Sequence, residues 1–340
     1  MEVAVRSHQN LPSAPFIIKS VEAIDHQSTM STKLCSACGT KSDTVKKCTA
    51  CKCVWYCDKE CQNKHRKEHR KDCKRIKKEL EKRGGKLDLG TEEDIGPIGK
   101  LPPREECPVC MRALPLHPML HAYYACCGKT LCCGCYHQHW MKSGEQRTCA
   151  FCRTVAPKTD EEILARLRKR VELKDPDALL NSAMDYCFGR LGLPVDQAKC
   201  IDILRESAGL GCPDAQFNLG NFHDRGEMGL EQKEELTLKY WEEAARGGHL
   251  ISRHKLGHKK LATGDFVAAM KHWRLSASGG YRDSVEPLIQ SFECGVLKHG
   301  DLAKTLQDMY AARAEMKSDG RDEFIAYLKR TGKYDEEYDL

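Results

Sequence analysis

The stretch Cys35–Cys73, reading CSACGTKSDTVKKCTACKCVWYCDKECQNKHRKEHRKDC, decides how the N-terminal third of this chain is built. Two residues separate Cys35 from Cys38 and Cys48 from Cys51; three separate Cys57 from Cys61 and His69 from Cys73. A Cys-x2-Cys turn lets both sulfurs reach one tetrahedral zinc at about 2.3 Å. Asp58 is placed to cap a helix running through Lys71, on which His69 and Cys73, four apart, share a face. Eight ligands make two closed four-coordinate sites with no position open to substrate. The expected role of the metal is structural, and hydrolytic zinc chemistry is not expected.

A second cluster follows: Cys107 and Cys110, the adjacent Cys126 and Cys127, Cys132 and Cys135, then Cys149 and Cys152, with Cys133 as an extra. Adjacent cysteines do not easily chelate one ion, so His121 or His137 stands as an alternative for one sulfur. Together the two clusters hold 17 of the 21 cysteines in the 340 residues, which concentrates the thiols where metal is expected. The remaining Cys187, Cys200, Cys212 and Cys294 read as small buried side chains in helical pattern. No basic start with an apolar run marks a secretory signal, and no stretch of about 20 apolar residues crosses a bilayer. A cytoplasmic or nuclear location is expected, where thiols stay reduced and short regular cysteine spacings mean metal rather than disulfides.

The ligand order of the first cluster resembles the MYND zinc finger, and Tyr56-Cys57 and Cys61-Gln62 match its local motif. The resemblance implies interleaved pairing, with Cys35, Cys38, Cys57 and Cys61 on one zinc and Cys48, Cys51, His69 and Cys73 on the other. Cys53 and His65 are then spare, and His65 reads as a solvated helix position. Arg66 stands where the family usually carries an aromatic residue that helps form a groove for proline-rich peptides, which argues against that ligand here.

The second cluster resembles a RING domain in an all-cysteine variant across residues 104–156. The resemblance implies a cross-brace of Cys107, Cys110, Cys132 and Cys135 on one zinc and Cys126, Cys127, Cys149 and Cys152 on the other. RING ligases hold a charged ubiquitin-conjugating enzyme so that its thioester adopts a reactive conformation, which is catalysis by positioning without a covalent intermediate. The matching surface residues are Val109, Trp140 and Arg153, while Ala150 stands where proline is common. Each also has an ordinary reading: core packing for Val109, a cap on the zinc fold for Trp140, an exposed cation for Arg153.

Beyond Pro157 the pattern changes. Thr159 and Glu162 form a capping box for a helix with Ile163, Leu164, Leu167 and Val171 on one face. From Asp177 the chain repeats itself: Asp177-Ala178 recurs 37 residues later as Asp214-Ala215, Ala183 recurs as Gly220 and Gly257, and Gly189 as Gly226. Leu204, Trp241 and Trp273 fall at one equivalent position, and a weaker fourth copy starts near Asp283. Each unit reads as helix, glycine loop, helix, and none can bury its apolar face alone, so the units stack into a solenoid. The Asp-Ala opening and the Ala-x-x-Gly close resemble the Sel-one-like repeats, relatives of the tetratricopeptide repeat, which implies a scaffolding role.

The expected architecture is multidomain: two small cross-braced zinc-binding modules followed by an all-α helical-repeat solenoid. Its divisions are a disordered arm at 1–30, the finger at 31–75, a charged helix and linker at 76–103 and the RING-like module at 104–156. A connecting helix follows at 157–176, then repeats at 177–319 and a capping helix with acidic tail at 320–340. About four zinc ions and protein partners are expected, among them a ubiquitin-conjugating enzyme. The net charge of +6 owes much to Lys64–Lys86, whose interspersed acids and lack of aromatics point to a solvated helix rather than a nucleic-acid surface. Nothing resembles a nucleotide loop, a hydrolase triad or a SET methyltransferase domain. A RING-type ligase is the leading expectation, ahead of a non-catalytic adaptor and then a nuclear regulator using the basic helix.

Overall fold

The computed structural model describes residues 35–40, 44–84, 100–117, 120–143 and 147–334. The arm at 1–30 and the acidic tail at 335–340 lie outside them. The first region pairs two short strands, β1 (Lys46–Lys47) and β2 (Trp55–Tyr56), and continues into α1 (Lys59–Lys64) and α2 (Arg66–Lys82). Asp58 caps α1 by accepting from the Cys61 amide at 2.8 Å. The helix breaks at His65 and then runs unbroken to Lys82, so the charged stretch and the ligand helix are one element. The second region holds the antiparallel pair β3 (His121–Tyr124) and β4 (Lys129–Cys132), followed by α3 (Cys133–Lys142).

All regular structure after Pro157 among the described residues is helical. The connecting helix α4 (Asp160–Glu172) is capped by Thr159, which accepts from the Glu162 amide. Three helix pairs follow: α5 (Pro176–Phe188) with α6 (Gln197–Gly209), α7 (Pro213–Arg225) with α8 (Glu234–Arg246), and α9 (Leu250–Ala262) with α10 (Phe266–Ser278). Pro176 and Pro213 open α5 and α7, where a missing amide costs nothing. Gly189 and Gly226 end them in the left-handed conformation that lets the chain turn back. The fourth unit is unequal, with α11 (Val285–Glu293) and the long α12 (His299–Met316), and α13 (Asp319–Arg330) closes the described chain.

The repeat period has a simple packing cause. Trp241 and Trp273 are 1% and 2% exposed, and each indole lies against the glycine of its paired helix. A Cβ on Gly220 would fall 2.4 Å from Trp241 Cδ1, and one on Gly257 would fall 2.4 Å from Trp273 Nε1. The small residue and the large one therefore recur together because each pair has room for one indole only.

The cysteine-rich regions pack against the repeats. The first lies on α11 and α12: Arg75 pairs with Glu286 and Glu293, both at 2.7 Å, and Arg282 donates to the Glu68 carbonyl at 2.8 Å. The second region touches the loops that open successive repeats. Tyr123 donates to Asp175 at 2.9 Å before α5, Pro102 lies over Gly248 before α9, and Leu101 and Leu116 lie over Gly279 and Gly280 before α11. At the far end α3 packs on α13, where His137 sits against Phe324 and Tyr327. The second region and the segment before it thus cover the loops that open the first, third and fourth units. Among the described residues no helix is long and apolar enough to cross a membrane.

Candidate metal centres

Four Cys-x2-Cys turns adopt the same backbone. In each, the amide after the second cysteine donates to the carbonyl of the first: Gly39 to Cys35 (2.9 Å), Lys52 to Cys48 (3.1 Å), Met111 to Cys107 (2.8 Å) and Arg153 to Cys149 (3.1 Å). Each donor residue sits at positive φ (+74°, +59°, +53° and +57°), a costly conformation for the three that are not glycine. The amide of each first cysteine is tied back as well, for example Cys107 to Arg112 and Cys149 to Thr154, both at 2.8 Å. These backbone hydrogen bonds hold the turn, and with it the two sulfurs, in one arrangement despite the positive φ.

These four knuckles meet four other ligand pairs. The structure brings together Cys35, Cys38, Cys57 and Cys61; Cys48, Cys51, His69 and Cys73; Cys107, Cys110, Cys132 and Cys135; and Cys126, Cys127, Cys149 and Cys152, with all ligand atoms of a group within 4.8 Å of one another. The sulfur separations are 3.7 Å for Cys38–Cys57, 3.8 Å for Cys48–Cys73, 3.9 Å for Cys110–Cys132, 3.6 Å for Cys127–Cys149 and 3.4 Å for Cys126–Cys152. Four sulfurs about 2.3 Å from a central zinc lie roughly 3.8 Å apart, so the groups fit that ion. His69 presents Nε2 at 3.2 Å from Cys51 Sγ and fills the fourth corner of its group. Zinc here would hold the loops in place; every corner is a protein ligand and none is left for a reacting molecule.

Both adjacent cysteines, Cys126 and Cys127, enter the fourth group, and neither histidine alternative does. The His121 imidazole is buried with Nε2 2.6 Å from the Pro115 carbonyl, and burial pushes its pKa down to about 4. His137 is on the face of α3 that meets α13. The tight turn between β3 and β4 explains the departure: Gly128, at φ +68°, lets consecutive sulfurs approach from one loop.

Two residues left over by the ligand count have structural work. His65 is 2% exposed rather than solvated: its Nδ1 is 2.9 Å from the Tyr56 hydroxyl and its ring meets Tyr310 edge-on at 4.2 Å. Burial pushes its pKa down to about 3. Cys53 is wholly buried, with Sγ 3.3 Å from His299 Nε2, and that same nitrogen donates to the Cys51 carbonyl at 2.9 Å. Tyr310 and His299 lie on α12, far away in sequence, so no local spacing signals these two contacts. Elsewhere Cys187 and Cys200 form a disulfide joining α5 to α6, where separate thiols were expected. The two helices face each other across the Gly189 loop and bring the Cα atoms to 5.4 Å. Cys212 is buried as expected, but Cys294 is exposed.

The three surface candidates fare unequally. Val109 is 52% exposed at the tip of the first knuckle, and Arg153 is exposed beyond the last ligand. Trp140 is half-buried on α3: Tyr136 stacks on it at 5.6 Å, the Arg147 guanidinium covers it at 3.8 Å, and its edge lines an apolar cavity of about 90 Å³ with Tyr124, Pro157 and Ile163.

Two family models match parts of the chain. The MYND finger family matches residues 35–73, and the Sel1 repeat family matches residues 176–212 and 213–249. No curated protein matches the chain. Among solved structures, a Sel1 repeat protein from Oxalobacter formigenes is 25% identical, covering 38% of this chain and 98% of its own, with a TM-score of 0.35. The protective antigen c5321 of uropathogenic Escherichia coli, described as displaying an SLR fold, is 20% identical over 59% of this chain and 40% of its own, with a TM-score of 0.39. The Pseudomonas aeruginosa protein PA5086 is 19% identical over 60% of this chain and 83% of its own, with a TM-score of 0.26. With eight ligands in each cysteine-rich region and indole-on-glycine packing behind them, the chain carries a MYND zinc finger, a second zinc-binding module and Sel1 repeats, the parts of a zinc-dependent protein-interaction protein.

Proposed function

We propose that this protein recruits other proteins to a RING-type ubiquitin ligase surface on its second zinc module. The observation that carries this reading is the condition of the two knuckle tips. Val109 and Met111 stand 52% and 68% exposed on one, and Arg153 and Val155 are exposed on the other, with Val155 at 49%. Apolar side chains held out on rigid zinc turns suit docking of a conjugating enzyme, and Arg153 suits hydrogen bonding to both that enzyme and its attached ubiquitin. The ligand order supports a cross-brace of the RING kind. Recruitment would fall to repeat surfaces the zinc modules leave open, such as the loop side bearing Phe188, Val195, Phe266 and Val267, all more than half exposed. The thiolate ligands suit the cytoplasm or nucleus, and the Cys187–Cys200 disulfide is the one feature that stands against that location.

A non-catalytic adaptor is the second reading, and the position of Trp140 favours it. With one face on Tyr136 and Arg147 over it, the indole offers a conjugating enzyme little surface. The deciding experiment is discharge of ubiquitin to free lysine from a panel of charged conjugating enzymes. Acceleration of at least one, weakened by Val109→Ala through docking and by Arg153→Ala through rate alone, supports the ligase. Acceleration of none leaves the adaptor.

A further inference from the structure

Arg321 is buried, at 5% exposed, near the start of α13. Its guanidinium donates through Nη1 to the Ala113 carbonyl at 2.7 Å and to the Met316 carbonyl, and through Nη2 to Cys110 Sγ at 3.7 Å. Nε has no hydrogen-bond partner, and among the described residues no carboxylate pairs with this arginine. A buried cation without an anion is costly enough that native structures rarely retain one. The anion here is the ligand set itself. Four thiolates around one divalent zinc carry a net charge of −2, and Cys110 belongs to the Cys107, Cys110, Cys132 and Cys135 group.

We propose that Arg321 is the outer-sphere counter-cation of this third zinc site, so that a helix more than 200 residues downstream completes a metal centre begun at Cys107. The packing beneath it is built for this approach. Gly134, in the first turn of α3, lies so close to the α13 backbone that a Cβ there would fall 2.5 Å from the Arg321 amide nitrogen. Gln138 on the same face donates to Glu323 at 3.1 Å. Groups hydrogen-bonded to metal ligands tune how strongly those ligands hold the ion. By linkage the reverse also holds: zinc in the third site holds α13 on α3, and its loss loosens the end of the solenoid.

The proposal rests on zinc occupancy of the cluster and is independent of the ligase reading, since its test contains no ubiquitin. Full-length protein, zinc-loaded, is challenged with a chromophoric chelator as wild type, Arg321→Met and Arg321→Lys. Arg321→Met is expected to release one of about four zinc equivalents about tenfold faster and to leave the others unchanged. Arg321→Lys, which keeps the charge but not the forked carbonyl contacts, is expected to restore most of the retention. In cobalt-substituted protein, the sulfur-to-metal charge-transfer band of one site should shift in the methionine variant and return towards wild type in the lysine variant. Hydrogen exchange over residues 319–330 should rise when that zinc is withdrawn. Identical release from wild type and Arg321→Met overturns the proposal. So does fast release from Arg321→Lys equal to that of Arg321→Met, which would make the residue a carbonyl clamp alone. If Arg321→Met undocks α13 altogether, the lysine variant and its cobalt spectrum decide between charge and clamp.

Discussion

The zinc-held region and the repeats are built by opposite means. Among the described residues between Cys35 and Ala156 the regular structure is two short hairpins and a few helices, and the tightest groups are sulfurs brought to shared points. Between Pro176 and Ser278 the same job is done by Leu204, Trp241 and Trp273 filling space left by Ala183, Gly220 and Gly257. Segments of 40 to 50 residues bury too little apolar surface to fold on packing alone, whereas a metal supplies folding energy directly. Stacked repeats share apolar faces with their neighbours and need no metal. A third class of residues joins the two halves and belongs to neither pattern: Cys53 and His65 on the finger, Tyr123 and Gly134 on the second module, His299, Tyr310 and Arg321 on the late helices.

The comparison breaks most plainly under metal removal. Chelation should abolish the structure of both cysteine-rich modules while α5 to α10 keep their helices, as read by circular dichroism with hydrogen exchange, and metal analysis of the reduced protein should return about four zinc ions. Two or fewer would remove one module from the scheme. Cys48→Ser should do more than unfold the finger. Because His299 and Tyr310 pack on that site, α12 should gain hydrogen exchange in the same variant, whereas independent modules would leave it protected.

Within the repeats the corresponding blow is Trp241→Ala, expected to destabilise by about 3–5 kcal/mol in chemical denaturation, since the indole is wholly enclosed. A zinc count unchanged by this substitution keeps the two halves distinct; loss of zinc would merge them. At the joint, His299→Ala removes the imidazole donor of the Cys51 carbonyl, leaving it the Cys53 thiol, and takes away the neighbour of Cys53. A cost of about 1–3 kcal/mol is expected, focused on the contact between finger and α12. The smallest stability effect belongs to Arg153→Ala, within about 0.5 kcal/mol, because an exposed side chain at a knuckle is held by its backbone and not by packing. A larger loss would place Arg153 in the zinc fold and remove it from the docking surface.

All eight ligands of each module stand at short spacings, and so do the indole and glycine positions that recur with the repeat. Local spacing signals them because a chelating turn and a helix pair are both short-range objects, each complete within a few tens of residues. The adjacent Cys126 and Cys127 were harder to read, since their joint reach depends on the backbone Gly128 allows at the β3–β4 turn. Residues whose partners lie far along the chain left no such trace. His65 sits in a run of charged residues and looks solvated until Tyr310 arrives from 245 positions away. Trp140 looks like an exposed docking residue until Arg147 covers it and α4 closes the cavity at its edge. Cys187 and Cys200 look like unrelated thiols until α5 and α6 turn back on each other.

What the amino-acid order determined by itself is therefore the set of parts: which sulfurs and which histidine can share a metal, and which small and large residues alternate along a stack. What only the tertiary structure decided is how the parts meet: the finger on α11 and α12, and the second module along the loops that open the repeats, with its α3 locked to α13 through Gly134 and Arg321. The physical reason is range. Ligand geometry and helix pairing are set by bonds and turns within a segment, while docking depends on shape and charge carried by side chains hundreds of residues apart, which acquire a common surface only once every segment has folded.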